Sequence, residues 1–203
     1  MFSEQVQSRA EQRATTRRHV ISIADRLFRQ QGFAATSIRQ IALEARVSTG
    51  TVMSVGDKSA LLAAVFEASI AQRQNAQVSQ HTSRGEQDAP LAPERITAHL
   101  RPFLELFSRD QELSREYAAV LVRGAHQSAI FAELADTLRA AIAIEFEASG
   151  MSHDRARTAS RAVYFAYLGV LFAWAGGDSD VSTALAELQN VVSLVMTDHL
   201  ENR

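Results

Sequence analysis

Ser37-Ile38-Arg39-Gln40-Ile41-Ala42-Leu43-Glu44-Ala45-Arg46-Val47-Ser48-Thr49-Gly50-Thr51-Val52-Met53-Ser54 is the stretch that decides the fold. Ser37 followed three residues on by Gln40 is a capping-box pattern, and Ile38, Ile41 and Ala42 give the helix it opens an apolar face. Val47-Ser48 makes a turn, and Ser48 caps a second short helix through Thr51, Val52 and Met53. Two short helices joined by about three residues, buttressed by a longer helix before them, make a helix-turn-helix. The second helix must be slim and polar at its start to enter a major groove about 12 Å wide. Here that start reads Ser48-Thr49-Gly50-Thr51. Its amides and hydroxyls can bond phosphate or base edges, and Gly50 permits close approach. Arg39, Arg46 and Lys58 supply cations nearby. Spacing alone also fits an ordinary core corner.

Working outward, the spacing predicts a first helix from about Thr16 to Gln31, with Ile21, Ala24, Leu27 and Phe28 on one face and Gly32 ending it. Asp57 is placed to cap a fourth helix whose apolar face includes Leu61, Leu62, Val65 and Phe66. Residues 80–93 are polar, contain Gly85, Pro90 and Pro93, and read as a loop. Ile96, Leu100, Phe103, Leu104 and Phe107 then recur in helical phase, with Pro102 predicting a kink or a fresh start. Further helices are expected at 112–123, 127–149, 153–175 and 180–200. Alternating strand patterns are absent, so the chain reads as all-α.

Composition narrows the chemistry. The 203 residues include no cysteine, which excludes disulfides, thiolate metal sites and cysteine nucleophiles. The formal net charge of -2 hides an asymmetry: residues 1–60 carry +4 and residues 61–203 carry -6. That division suggests a small module facing phosphate and a larger one that does not. The chain's start is polar and lacks the apolar core of a secretory signal. The longest apolar stretch, Ala162 to Gly177, is too short to span a bilayer. A cytoplasmic protein without a membrane partner is expected.

From Arg17 to Glu67 the sequence resembles the N-terminal domain of the TetR family of bacterial transcriptional regulators. The resemblance rests on Ala24, Leu27 and Phe28; on Gly32, Phe33, Thr36 and Ser37; on Ile38, Ile41 and Ala42; on Val47, Ser48, Gly50 and Thr51; and on Lys58, Leu61 and Leu62. There are departures. Met53 stands where the family usually has an aromatic residue, often Tyr, and the segment before Lys58 is one residue short. The resemblance implies a helix-turn-helix domain over 1–60, with a disordered or extended arm at 1–14, and a C-terminal domain over 61–203 that dimerises and binds an effector. A dimer on a palindromic double-stranded operator follows, as a repressor released by a small apolar or amphipathic ligand. Thr36, Ser37, Arg39, Arg46, Ser48, Thr49, Gly50, Thr51, Met53, Ser54 and Lys58 are the DNA-facing candidates, with Thr36 and Lys58 on phosphates and Val52 turned inward.

For the dimer, the run from Ala162 to Ala175 is apolar on every side, so a helix there needs a core on one face and a partner on the other. Leu185, Leu188, Val192, Val195 and Met196 are in phase on the last helix. Phe172, Leu188, Val192, Val195 and Met196 are the interface candidates. Phe103, Leu106, Phe107, Tyr117, Leu121, Phe131, Tyr164 and Tyr167 can line an apolar effector cavity, though aromatic stripes at helical spacing are more often plain core. No catalytic motif is present. Asp178-Ser179-Asp180 starts like a calcium loop but lacks its glycine and glutamate, and Asp180 reads better as a helix cap. No cofactor, metal or enzymatic activity is expected. A ligand-binding or scaffold protein whose helix-turn-helix no longer reads DNA is the alternative.

Overall fold

The computed structural model describes residues 2–81, 92–124, 129–175 and 180–201. Among them are nine helices and no strand: α1 Phe2–Ala35, α2 Ile38–Glu44, α3 Thr49–Val55, α4 Lys58–His81, α5 Ala92–Ser108, α6 Gln111–Val122, α7 Ala129–Ala148, α8 His153–Ala175 and α9 Val181–Glu201. The all-α reading holds. Most of the loop expected over 80–93 lies outside the described residues, as do Asp178 and Ser179. Asp180 is described, and it caps α9: its Oδ1 accepts the Thr183 amide at 2.8 Å. No helix among the described residues is long and apolar enough to cross a membrane.

Two compact units form, one of Met1–Ala68 with Glu112–Ser128, the other of Ser69–Gln111 with Ala129–Arg203. In the first, α1 buries Val20, Ala24, Leu27 and Phe28, an i, i+4, i+7, i+8 stripe facing Ile41, Ala42 and Val52 of the helix-turn-helix core. Ile21, expected on that face, is only half-buried because Val20 holds the phase. At Gly32 the backbone takes φ 82° and ψ 160°, so the regular helix breaks where the sequence puts its end. Its start differs from expectation. Residues 2–14 are helical, continuous with the rest of α1, and not an extended arm. Tyr117 of α6 stacks nearly parallel on Phe66 of α4, with ring centres 4.3 Å apart.

In the second unit, α8 packs against α7 and α9, while α5 packs against α7, α8 and α9. Ile96, Leu100, Phe103, Leu104 and Phe107 are all buried on one face of α5. Pro102 sits inside that helix, which continues through it as one element. Arg95 Nε donates to Glu145 Oε2 at 2.7 Å, and His99 Nε2 lies 3.3 Å from Glu145 Oε1. This tie joins α5 to α7 at a partly buried position.

Candidate nucleic-acid interface

Local hydrogen bonds fix both short helices. Ser37 Oγ accepts the Gln40 amide at 3.2 Å, and Gln40 Oε1 accepts the Ser37 amide at 2.9 Å, which closes the capping box. Ser48 Oγ accepts the Thr51 amide at 3.0 Å and shares a hydrogen bond of 2.9 Å with Thr51 Oγ1. Between the helices the chain reverses through Ala45, Arg46 and Val47, whose amides donate to the carbonyls of Ile41, Leu43 and Ala42. Arg46 takes φ 54°, the left-handed region that glycine usually fills after a helix. Holding a β-carbon there costs roughly 1 kcal/mol. The turn keeps an exposed guanidinium where glycine would fold more easily.

On α3 the faces separate cleanly. Val52 is 0% exposed and belongs to the core, whereas Met53 is 52% exposed. Thr49, Gly50 and Ser54 share the open side with Met53, and Thr51 is half-buried at its edge. A β-carbon on Gly50 would meet only Ser48 Oγ, at 3.7 Å. Nothing among the described residues requires glycine at that position.

The cations sort by whether a partner already holds them. Arg26 pairs with Glu44 at 2.7 Å and Arg29 with Asp25 at 2.7 Å, so both are neutralised within the domain. Arg9, Arg13, Arg39 and Arg46 are exposed, and their guanidinium groups make no hydrogen bond or ion pair among the described residues. Arg39 and Arg46 were among the expected contacts. Arg9 and Arg13 were not, because residues 1–14 read as an arm. The signal was there: Arg9, Arg13 and Arg17 recur every fourth residue, one face of a helix.

Two residues expected on phosphates have partners inside the protein. Thr36 is 1% exposed; its hydroxyl donates to the Gly32 carbonyl at 2.9 Å and accepts Gln31 Nε2 at 3.1 Å. Its amide donates to Phe33. Thr36 therefore fixes the α1–α2 corner and has no donor left for DNA. Lys58 Nζ donates to the Ala34 carbonyl at 3.2 Å and lies 4.4 Å from the centre of the Phe33 ring. The ammonium closes onto the end of α1.

An open cleft of about 710 Å³ lies between α1 and α3, lined by Arg9, Gln12, Arg13, Thr16, Arg17, Thr51, Ser54 and Val55. Arg17 Nη1 donates to the Val55 carbonyl at 3.2 Å, at the end of α3 where helical carbonyls lack partners.

Residues 20–65 match the family model of bacterial regulatory proteins, tetR family. Over those residues the chain is similar to the TetR family. Solved structures similar to the whole chain agree in fold. A TetR-family transcriptional repressor of Thermus thermophilus, FadR, solved with lauroyl-CoA, is 23% identical over 89% of this chain and 93% of its own, with a TM-score of 0.63. A TetR transcriptional regulator from Rhodococcus sp. RHA1 is 18% identical over 92% and 97%, at 0.61. A TetR-family regulator from Mesorhizobium loti MAFF303099 is 17% identical over 91% and 96%, at 0.58. No curated protein matches the chain.

The other expected sites are placed as follows. Phe103, Leu106, Phe107, Tyr164 and Tyr167 are buried in the second unit, with Phe131 half-buried there; Tyr117 and Leu121 belong to the first unit. The Tyr167 hydroxyl is fully enclosed and has no hydrogen-bond partner among the described residues. Burial pushes its pKa far up, and that of Tyr164 up as well. Leu188 and Val192 are fully buried within the unit's own core, while Val195 and Met196 are half-buried and Phe172 is exposed. Phe165, Gly169 and Phe172 form an open i, i+4, i+7 stripe on α8, and Leu194 stands 71% exposed on α9. The apolar run on α8 is thus covered on one side only.

Proposed function

We propose that this chain is a homodimeric TetR-family transcriptional repressor that binds a palindromic operator and is released by a small amphipathic ligand. Residues 1–60 are the DNA-binding part in this reading, and 61–203 carry effector binding and dimerisation. The observation that carries it is the split of α3, with Val52 locked in the core and Thr49, Gly50, Met53 and Ser54 turned to solvent. Placed in a major groove, those four present a methyl, hydroxyls and a bare backbone to base edges. Arg39 and Arg46 flank them as phosphate ligands. Leaving Phe165 and Phe172 in water is costly, and a second copy of the same stripe across a two-fold axis would bury both.

Support for the effector class has two sources. The Thermus protein was solved with an acyl-CoA, an amphipathic thioester. In this chain, Tyr167 holds a buried hydroxyl without a partner among the described residues, beside Tyr164 at 6.1 Å between ring centres. A buried polar group of this kind calls for a partner, and a ligand's polar atom in an apolar site supplies one. Release requires only that the ligand favour the state that cannot bind DNA; a hundredfold preference corresponds to about 2.7 kcal/mol.

Selecting binding sites from random DNA tests the reading. The wild-type chain should enrich a palindrome, and Thr51→Val or Met53→Ala should change the preferred bases by about 1–3 kcal/mol per position touched. Enrichment that both variants leave unchanged would mean that α3 does not read bases. Calorimetry with lauroyl-CoA, in the presence and absence of operator, checks release: equal affinity in both overturns the coupling.

A further inference from the structure

Between Arg9 and His19 no side chain of α1 is buried, so these turns contribute nothing to the core of their own unit. Helix in water without a packed face is marginal. Its exposed side nevertheless forms one wall of the cleft against α3, and the lining is chemically one-sided. Three guanidinium groups, from Arg9, Arg13 and Arg17, meet the polar groups of Gln12, Thr16, Thr51 and Ser54, with no carboxylate among the lining residues. Arg17 is engaged with the Val55 carbonyl and so holds α1 against the last turn of α3. Arg9 and Arg13 have no such engagement among the described residues.

We propose that this cleft seats the phosphodiester backbone of the duplex beside the bases that α3 faces, with Arg9 and Arg13 on successive phosphates and Arg17 as the positioning residue. Length favours a strand over a point anion. Arg9 and Arg17 lie eight residues apart, about 12 Å along the helix, and the volume of about 710 Å³ far exceeds one phosphate group. Position favours DNA over another polyanion, because Thr51 and Ser54 belong both to this cleft and to α3, so a strand lying in it is continuous with the groove that α3 enters. Guanidinium forks match phosphate oxygens in pairs, which makes a row of them a backbone clamp. The inference rests on α3 entering the major groove, and extends the footprint from the helix-turn-helix to the N-terminal turns of α1.

The test uses the full chain, its R9A/R13A variant and a fluorescent duplex enriched by the wild-type chain from random DNA. Binding is followed by anisotropy over a range of salt concentrations. Each neutralised phosphate contributes about 0.9 to the slope of log affinity against log salt, so the double variant should lose nearly two units. The order of preferred sequences should stay the same. Trimming base pairs from the flank of the duplex should weaken the wild type and leave the variant unaffected. Circular dichroism should be unchanged, since neither side chain is buried, and R9K/R13K should recover most of the salt slope. A slope unmoved in R9A/R13A overturns the cleft while leaving the α3 reading intact. A changed base preference overturns it too, since the arginines would then be reading sequence. If the wild type enriches no duplex at all, the α3 reading fails and this inference with it.

Discussion

Gly56 lies so close to Ala60 that a β-carbon added to it would fall 2.6 Å from the Ala60 β-carbon. Unbonded carbons do not approach so closely, and here both sit where α3 hands over to α4. Gly56→Ala should therefore push the first turn of α4 away and destabilise the domain by about 1–3 kcal/mol. Ala60→Gly in the same chain removes the contact but leaves the backbone strain at φ 159° and adds roughly 1 kcal/mol for glycine in a helix, so it should return only a part of that loss. Urea denaturation measures both. Wild-type stability in the single variant would show that the turn yields freely.

Arg46 occupies a left-handed backbone position with an exposed guanidinium. Arg46→Gly should stabilise the domain by up to about 1 kcal/mol by relieving the backbone. It should also lower DNA affinity on every sequence and reduce the salt slope by about one unit. Opposite signs in melting and in binding are the expected signature; a variant improved or impaired in both would contradict it.

Lys58 looks from its position like a phosphate ligand, but its ammonium bonds the Ala34 carbonyl and covers the Phe33 ring. Lys58→Ala should leave the salt slope of DNA binding where it was and cost about 0.5–1 kcal/mol of stability. A slope that falls by about one unit would mean that the side chain leaves the ring to meet DNA.

Two substitutions to glutamate should part the proposed dimer surface from the core. Phe165 is 57% exposed, so Phe165→Glu should give a folded monomer in sedimentation. Val192 is wholly buried, so Val192→Glu should unfold the second unit, because a charge there has no partner to offset its burial. A dimeric Phe165→Glu chain would place the interface elsewhere.

Glu145 links the fold to pH. Burial by itself would raise its pKa; the hydrogen bonds and charges of Arg95 and His99 outweigh this and hold it below the ordinary value of 4.5. A carboxylate with a depressed folded-state pKa adds stability that is present above the unfolded pKa and lost as pH falls through the folded one. The second unit should weaken as pH drops below about 4.5, and Glu145→Gln should flatten that dependence. With the side chain partly exposed to water, the effect should stay within about 1 kcal/mol. Thermal melts between neutral and acid pH would show it, and parallel curves for both chains would rule it out.

Residue type and spacing determined whatever is settled within a turn or two of chain. The Ser37–Gln40 box, the Ser48 cap and the Asp57 cap, whose Oδ1 accepts the Ala60 amide at 2.8 Å, join residues three apart, so neighbours suffice. The boundaries of α6 to α9 and the break at Gly32 were readable for the same reason. Tertiary structure alone decided which partner a side chain meets. Lys58 reaches Ala34 across 24 positions and Arg17 reaches Val55 across 38, contacts that exist only after the chain has turned back on itself. Tyr117 stacks on Phe66 of another helix, although its type and spacing also fitted an effector site. On α8 the sequence is apolar all round, so periodicity carries no phase; packing against α7 and α9 buries one side and leaves Phe165 and Phe172 in the open. Periodicity tells a helix that it has a face to bury. It cannot say against what, because that depends on distances between residues far apart along the chain.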